Sequence, residues 1–199
     1  MRRGIFGGTF DPIHMGHLIL AQEVHWRLGL DEVWFMPTGE PWMKRGQSLT
    51  SKEHRKAMVE LAIAGNKGFK LSTIEMDRPR ETYTVDTLEE LHQGEMQHDE
   101  VLFIMGLDTL HNMHKWKAPG RVLELVQLVV ALRPGEGDLD LKALRAIDSS
   151  VAERLMTVDL PLIEISGTEL RHRVTAGQPY RYLVPDAVGD YIETHGLYR

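Results

Sequence analysis

An α/β fold, a parallel sheet with helices on both faces, is predicted by three features of the 199-residue chain. Strand-like and helix-like segments alternate along it. The strand segments are short runs rich in β-branched and aromatic residues, as strands buried on both faces require. The helical segments each carry an apolar face at helical spacing.

Strand signals stand at Arg3–Phe6, Glu32–Met36, Phe69–Thr73, Val101–Met105, Leu128–Leu132 and Met156–Asp159. A first helix is expected from about Gly16, with Leu18, Ala21, His25 and Leu28 on one face, stopping by Gly29. A second follows Thr50 and Glu53, which have capping-box spacing, and runs past Met58, Leu61 and Ala62 to Gly65. A third spans Thr84–His92 with Val85, Leu88 and Leu91 inward; a fourth covers Gly120–Leu125, and a fifth lies around Asp138–Ile147. Ile163-Glu164-Ile165 reads as a further short strand, with Ser166 and Thr168 as caps of a helix through Thr175. A last helix starts at Pro185 and ends at His195-Gly196. The polar loop Pro37–Leu49 has the length of a lid. With no repeat and no linker, residues 1–199 read as one domain with a small helical part from about 160.

Composition narrows the function classes. The 23 Lys and Arg against 29 Asp and Glu leave a net charge of −6, which offers no overall attraction to nucleic acid or an anionic membrane. The absence of cysteine excludes disulfides, thiolate zinc and a cysteine nucleophile. No apolar run has the ~20 residues a bilayer span needs, and MRRGIFGGTF lacks the apolar core of a secretory signal. A cytoplasmic enzyme or binding protein is expected. The sequence leaves a homo-oligomer open.

Gly7-Gly8-Thr9-Phe10-Asp11-Pro12-Ile13-His14-Met15-Gly16-His17 lies between the first strand and the first helix. Glycines there let backbone approach a ligand, and a helix N-terminus favours phosphate. His14 and His17 flank the helix start, so both imidazoles are expected to face that phosphate, with Gly16 leaving room for it. The dinucleotide fingerprint and the P-loop are both absent. Zinc on His14, His17 and Asp11 is a weaker reading, because no further ligand stands nearby. A purely structural turn explains the glycines and proline but not two histidines.

This stretch resembles the signature of the HxGH nucleotidyltransferases, and the chain as a whole resembles their bacterial nicotinate mononucleotide adenylyltransferase branch. The same order of blocks continues through Pro37-Thr38-Gly39-Glu40-Pro41 with Lys44, then Arg80–Leu88, Phe103–Asp108 and Trp116. It closes with Arg133-Pro134-Gly135, Ile165–Arg171 and Leu197-Tyr198. Two departures stand out: Trp42-Met43 precede Lys44 where the family has Pro-His, and Gly167 replaces a serine.

The resemblance implies a Rossmann-like sheet of the nucleotidyltransferase type. It implies transfer of AMP from ATP to nicotinate mononucleotide, giving deamido-NAD and pyrophosphate, by in-line attack without a covalent intermediate. It assigns His14, His17, Lys44 and Arg171 to the ATP phosphates, with Ser166 and Thr168 on the β- and γ-phosphates. Gly7, Gly8, Thr9 and Phe10 would line the nucleotide site through their backbone. Tyr83, Thr84, Asp108 and Trp116 would hold the acceptor, the indole stacking on the pyridine ring. Read alone, Asp108 is a helix cap and Trp116 packing; the resemblance gives them a function. Magnesium would arrive on ATP, with no protein cage. Nicotinamide mononucleotide or phosphopantetheine as acceptor, or a non-catalytic nucleotide binder, are the competing readings. His111 and His114, and Glu89 and Glu90, read as solvated helix residues; Trp26, Trp34 and Met36 read as packing.

Overall fold

The computed structural model describes residues 1–39, 49–79, 81–133, 135, 139–161 and 163–199. Six parallel strands form one sheet: β1 Arg2–Gly8, β2 Glu32–Pro37, β3 Phe69–Leu71, β4 Glu100–Gly106, β5 Gln127–Leu132 and β6 Leu155–Asp159. Their spatial order is β3-β2-β1-β4-β5-β6, every neighbouring pair parallel. The chain therefore winds outward in one direction from β1 and, after crossing over, in the other from β4. That reversal opens a crevice at the carboxyl ends of β1 and β4.

Alternate side chains of each central strand enter opposite cores. Phe6, Leu102, Ile104, Val129 and Ala131 face one core; Ile5, Val101, Phe103, Met105, Leu128 and Val130 face the other. The first core is closed by α1 (Met15–Arg27), α2 (Lys52–Ile63), α7 (Gly167–Thr175) and α8 (Asp186–Thr194). The second is closed by α3 (Thr84–Gln93), α4 (Leu107–Asn112), α5 (Pro119–Leu125) and α6 (Lys142–Arg145). Helices thus cover both faces. None of the described helices is long and apolar enough to cross a membrane.

Several expectations need correcting. Ile163-Glu164-Ile165 joins no strand, and β3 ends at Leu71 rather than Thr73. The fifth helix shrinks to the single turn of α6. The last helix has Pro185 as its N-cap rather than inside its first turn. Ser51, not Thr50, caps α2, its hydroxyl accepting the His54 N–H at 3.4 Å. Thr50 is otherwise engaged, as its N–H donates to Asp11. Leu61 is 38% exposed, and Val59 and Ile63 take the inward places on α2. Trp26 is 74% exposed, because it lies two residues, about 200° of helix, beyond the buried Val24. Trp34 is half-buried beneath the Arg3 guanidinium, and Met36 is buried.

Candidate active site

The crevice holds a cavity of about 460 Å³. Gly7, Gly8 and Thr9 line it from the end of β1 and just beyond, Met36 and Thr38 from the end of β2 and just beyond, and Met105, Gly106 and Asp108 from β4 and the start of α4. Thr82 and Thr84 enter from the approach to α3, His17 from α1, Trp116 from the turn after α4, and Arg133 from just beyond β5.

The turn after β1 is shaped by its own side chains. Phe10 has φ +49°, a left-handed conformation rare outside glycine, and its ring folds back into the core. A Cβ on Gly8 would come within 2.9 Å of that ring, so the close approach demands glycine. Phe10 also packs edge-on against the His17 ring, centroids 5.0 Å apart. Phe10 therefore supports the cavity from below instead of lining it.

His14 begins α1 as its N-cap in extended conformation. Its N–H donates to Nδ1 of His17 at 3.2 Å. With that nitrogen accepting, the neutral His17 ring carries its proton on Nε2. The two imidazoles stack at 3.6 Å and 23°. His14 is buried, its Nδ1 has no hydrogen-bond partner among the described residues, and it does not line the cavity. The cavity wall goes to His17, with His14 behind it. Gly16 makes room for the His14 ring: a Cβ there would lie 3.1 Å from His14 Nδ1.

Burial, followed by the Arg133 charge, lowers the His14 pKa from 6.5 to about 4. Burial, then His14 and Arg133, holds His17 well below its usual value too. Both rings are neutral at pH 7 without ligand. Because the unfolded chain takes up protons that the folded rings refuse, the unliganded protein loses stability as pH falls from 6.5 towards 4. For His14 alone the loss is about 3 kcal/mol. Urea unfolding across that window checks this, and a flat profile would mean that the rings charge freely within the fold.

Beside this turn lies Arg55, only 2% exposed. Its guanidinium donates to four backbone carbonyls: Thr50 at 3.0 Å, Thr9 at 3.0 Å, Thr38 at 2.7 Å and Gly39 at 3.0 Å. Burial lowers its pKa, and the nearby Asp11 charge opposes that shift. Asp11 is itself buried, and its Oδ1 accepts the Tyr198 hydroxyl at 2.7 Å. Burial, together with Asp11, pushes the Tyr198 pKa well up, so the phenol stays a donor.

On the other wall, Thr84, Asp108 and Trp116 share the cavity as expected. The half-buried Trp116 is fixed edge-on to Phe103 at 5.8 Å. Tyr83 does not line the cavity; its ring lies under the Lys117 ammonium at 4.8 Å, and its hydroxyl donates to Glu81. Glu75, unsuspected from sequence, lines the same wall, 7% exposed, and accepts the Thr87 hydroxyl at 3.0 Å. Burial raises its pKa. A Cβ on Gly39 would fall 2.3 Å from the Glu75 carbonyl oxygen, so these two backbones are in direct contact.

Ser166, Thr168 and Arg171 form a neighbouring group outside the cavity. Ser166 caps α7, its hydroxyl accepting the Glu169 N–H at 3.1 Å. Arg171 Nη1 donates to the Asp11 carbonyl at 2.6 Å and Nη2 to Thr168 at 3.3 Å. Arg171 thus ties α7 to the histidine turn with part of its donor set. A Cβ on Gly167 would sit 3.0 Å from the same Asp11 carbonyl, so a serine there would require that carbonyl to yield. Lys44 and Arg80 lie outside the described residues. His111 and His114 are exposed. Arg78 is committed to Thr87 and Glu90.

Residues 5–173 match the cytidylyltransferase-like family model. A relative from Roseiflexus sp. (strain RS-1), described as a probable nicotinate-nucleotide adenylyltransferase, is 46% identical over 98% of this chain and 97% of its own length. One of the same description from Thermomicrobium roseum is 46% identical over 100% of this chain and 92% of its own. Among solved structures, the Plasmodium falciparum nicotinic acid mononucleotide adenylyltransferase complexed with NaAD superposes with a TM-score of 0.78. It is 19% identical, and the match covers 99% of this chain and 97% of that one. At that identity the likeness is one of fold.

Proposed function

Since the chain belongs to the cytidylyltransferase-like family, and to the nicotinate-nucleotide adenylyltransferases within it, we propose that it joins AMP from ATP to nicotinate mononucleotide. Deamido-NAD and pyrophosphate are the products. The observation that carries this reading is one cavity lined by the glycine turn, His17 and Arg133 together with Thr84, Asp108 and Trp116.

The acceptor's phosphate needs no general base, since a monoester with a second pKa of ~6 is mostly dianionic at pH 7. One of its oxygens attacks the α-phosphorus in line. The new P–O bond forms as the α–β bridge breaks, and the bridging electrons leave on pyrophosphate. The protein's task is to bring two polyanions together and to stabilise the charge between them. His17 does so as a neutral donor through Nε2–H, and phosphate beside it draws the stacked imidazoles towards the charged form. Arg133 adds a fixed positive charge on the same wall. Backbone of Gly7, Gly8 and Thr9 leaves the nucleotide room. The Arg171 guanidinium and the start of α7 at Ser166–Thr168 hold the outer phosphates. Lys44 joins them as a further cation. Nitrogen donors predominate around the phosphates, a set suited to magnesium carried on ATP by phosphate oxygens and water, where it would neutralise phosphate charge.

For the acceptor, Trp116 offers its indole to the pyridinium, Asp108 accepts from ribose hydroxyls, and Thr84, at the first turn of α3, presents backbone N–H groups to the carboxylate. Tyr83 contributes its backbone. The cytoplasm is the matching compartment.

Pyrophosphate release from ATP, measured with nicotinate mononucleotide, nicotinamide mononucleotide and phosphopantetheine in parallel, tests the assignment. Only the first is expected to give rapid turnover, and no release with either pyridine mononucleotide would overturn it. In the same assay Trp116→Ala is expected to raise the acceptor KM by about tenfold with ATP KM unchanged, in keeping with loss of a desolvated cation–π contact of ~1–2 kcal/mol. A change confined to ATP would misplace the indole.

A further inference from the structure

Asp11 is the point at which three distant stretches of chain meet. Its Oδ1 accepts from the Tyr198 hydroxyl, 187 residues away, and its Oδ2 accepts the Thr50 N–H at 3.2 Å. Its carbonyl takes the Arg171 guanidinium. Three residues further on, His14 starts the helix that carries His17. Little freedom remains in the turn.

Tyr198 is built into this junction. Its backbone is left-handed, φ +65°, a conformation that costs a non-glycine residue energy. Its carbonyl is held by the Thr175 hydroxyl at 2.7 Å, and the preceding N–H of Leu197 donates to the Ile192 carbonyl at 3.0 Å. Thr175 is the last residue of α7, so its hydroxyl ties Tyr198 to that helix; the Arg171 carbonyl, at 3.0 Å, is the alternative acceptor for the same proton. Apolar packing could be supplied by phenylalanine. The hydroxyl has a separate task, which is to satisfy a buried carboxylate.

We infer that Tyr198 is a positioning residue for the triphosphate site: through Asp11 it sets the histidine turn, and with Arg171 it fixes that turn's register against Ser166–Thr168. The inference rests on the ATP reading of those two segments. It does not depend on which acceptor is used.

Tyr198→Phe keeps the ring and removes the hydroxyl. ATP binding, followed by calorimetry with ATP alone, is expected to weaken about tenfold, the scale that a sub-ångström misplacement produces. The kcat/KM for ATP falls in step, while the KM for the acceptor stays at the wild-type value. Asp11→Ala is expected to lose at least as much, since it also strands the Thr50 N–H, and adding Tyr198→Phe to it is expected to cost nothing further, because the hydroxyl then has no carboxylate to serve. Wild-type ATP affinity in folded Tyr198→Phe, equal loss for both substrates, or additive losses would each overturn the proposal. So would a Tyr198→Phe chain that fails to fold, because the residue would then be one of stability. Wild-type protein that binds ATP but modifies no pyridine mononucleotide would sink the acceptor reading and leave the Tyr198 comparison decisive; wild-type protein that binds no ATP would sink both.

Discussion

His17→Ala is expected to lower kcat by roughly 10²-fold or more, the cost of removing one preorganised donor aimed at developing charge. The size follows from the ring's constraints. Phe6 and Phe10 pack around it, His14 stacks on it, and the His14 N–H occupies Nδ1. Nε2–H is the donor left for a ligand, and a group held on so many sides needs no reorganisation when the α-phosphorus becomes crowded with charge. The same substitution removes the acceptor for the His14 N–H, a cap-type contact worth about 1 kcal/mol, so unfolding is measured alongside turnover. A modest drop in stability with a large drop in kcat is the expected pattern. Near-normal turnover would remove His17 from the chemistry.

Arg55→Met gives the largest expected loss of stability. The side chain fits the space, but four carbonyls, of Thr9, Thr38, Gly39 and Thr50, lose their donor. Each buried acceptor left unsatisfied costs about 1–3 kcal/mol, so a total of about 3 kcal/mol or more is expected even if water reaches some of them. Denaturant unfolding checks the figure. A change below about 1 kcal/mol would show that water replaces the guanidinium at little cost and that Arg55 is no clamp.

Much of the fold was legible because the central strands carry their own signal. β4 and β5 are runs of large apolar residues that both cores require, and β1, though mostly glycine and arginine, supplies Ile5 to one core and Phe6 to the other. Legibility failed where local pattern and tertiary context part. Ile163-Glu164-Ile165 alternates as a strand should, yet it pairs with no strand among the described residues. Within the site, the glycine–histidine turn, Thr84, Asp108 and Trp116 were readable from motif and order. Arg55 was not, since Lys-Glu-His-Arg-Lys reads as a solvated helix start and the carbonyls it serves lie on other segments. Its one visible trace is spacing: Arg55 stands three and four residues before Met58 and Val59, on the inward face. Arg133 had a trace too, since it directly follows a strand of a parallel sheet, at the edge where such sheets bind ligands. Glu75 had none; its carboxylate is buried against Thr87, twelve residues further on, a pairing that no local pattern encodes.

The pairing of Gly8 with Phe10 has a consequence for how this chain can change. The aromatic ring occupies the space that any side chain at position 8 would fill, and it reaches there only through an unusual backbone twist. Neither position can drift alone: a larger residue at 8 evicts the ring, and a smaller one at 10 uncovers the floor beneath His17. Tolerated variants at the two sites should therefore arise as matched pairs, making this dipeptide-apart couple a single heritable unit in any library selected for growth.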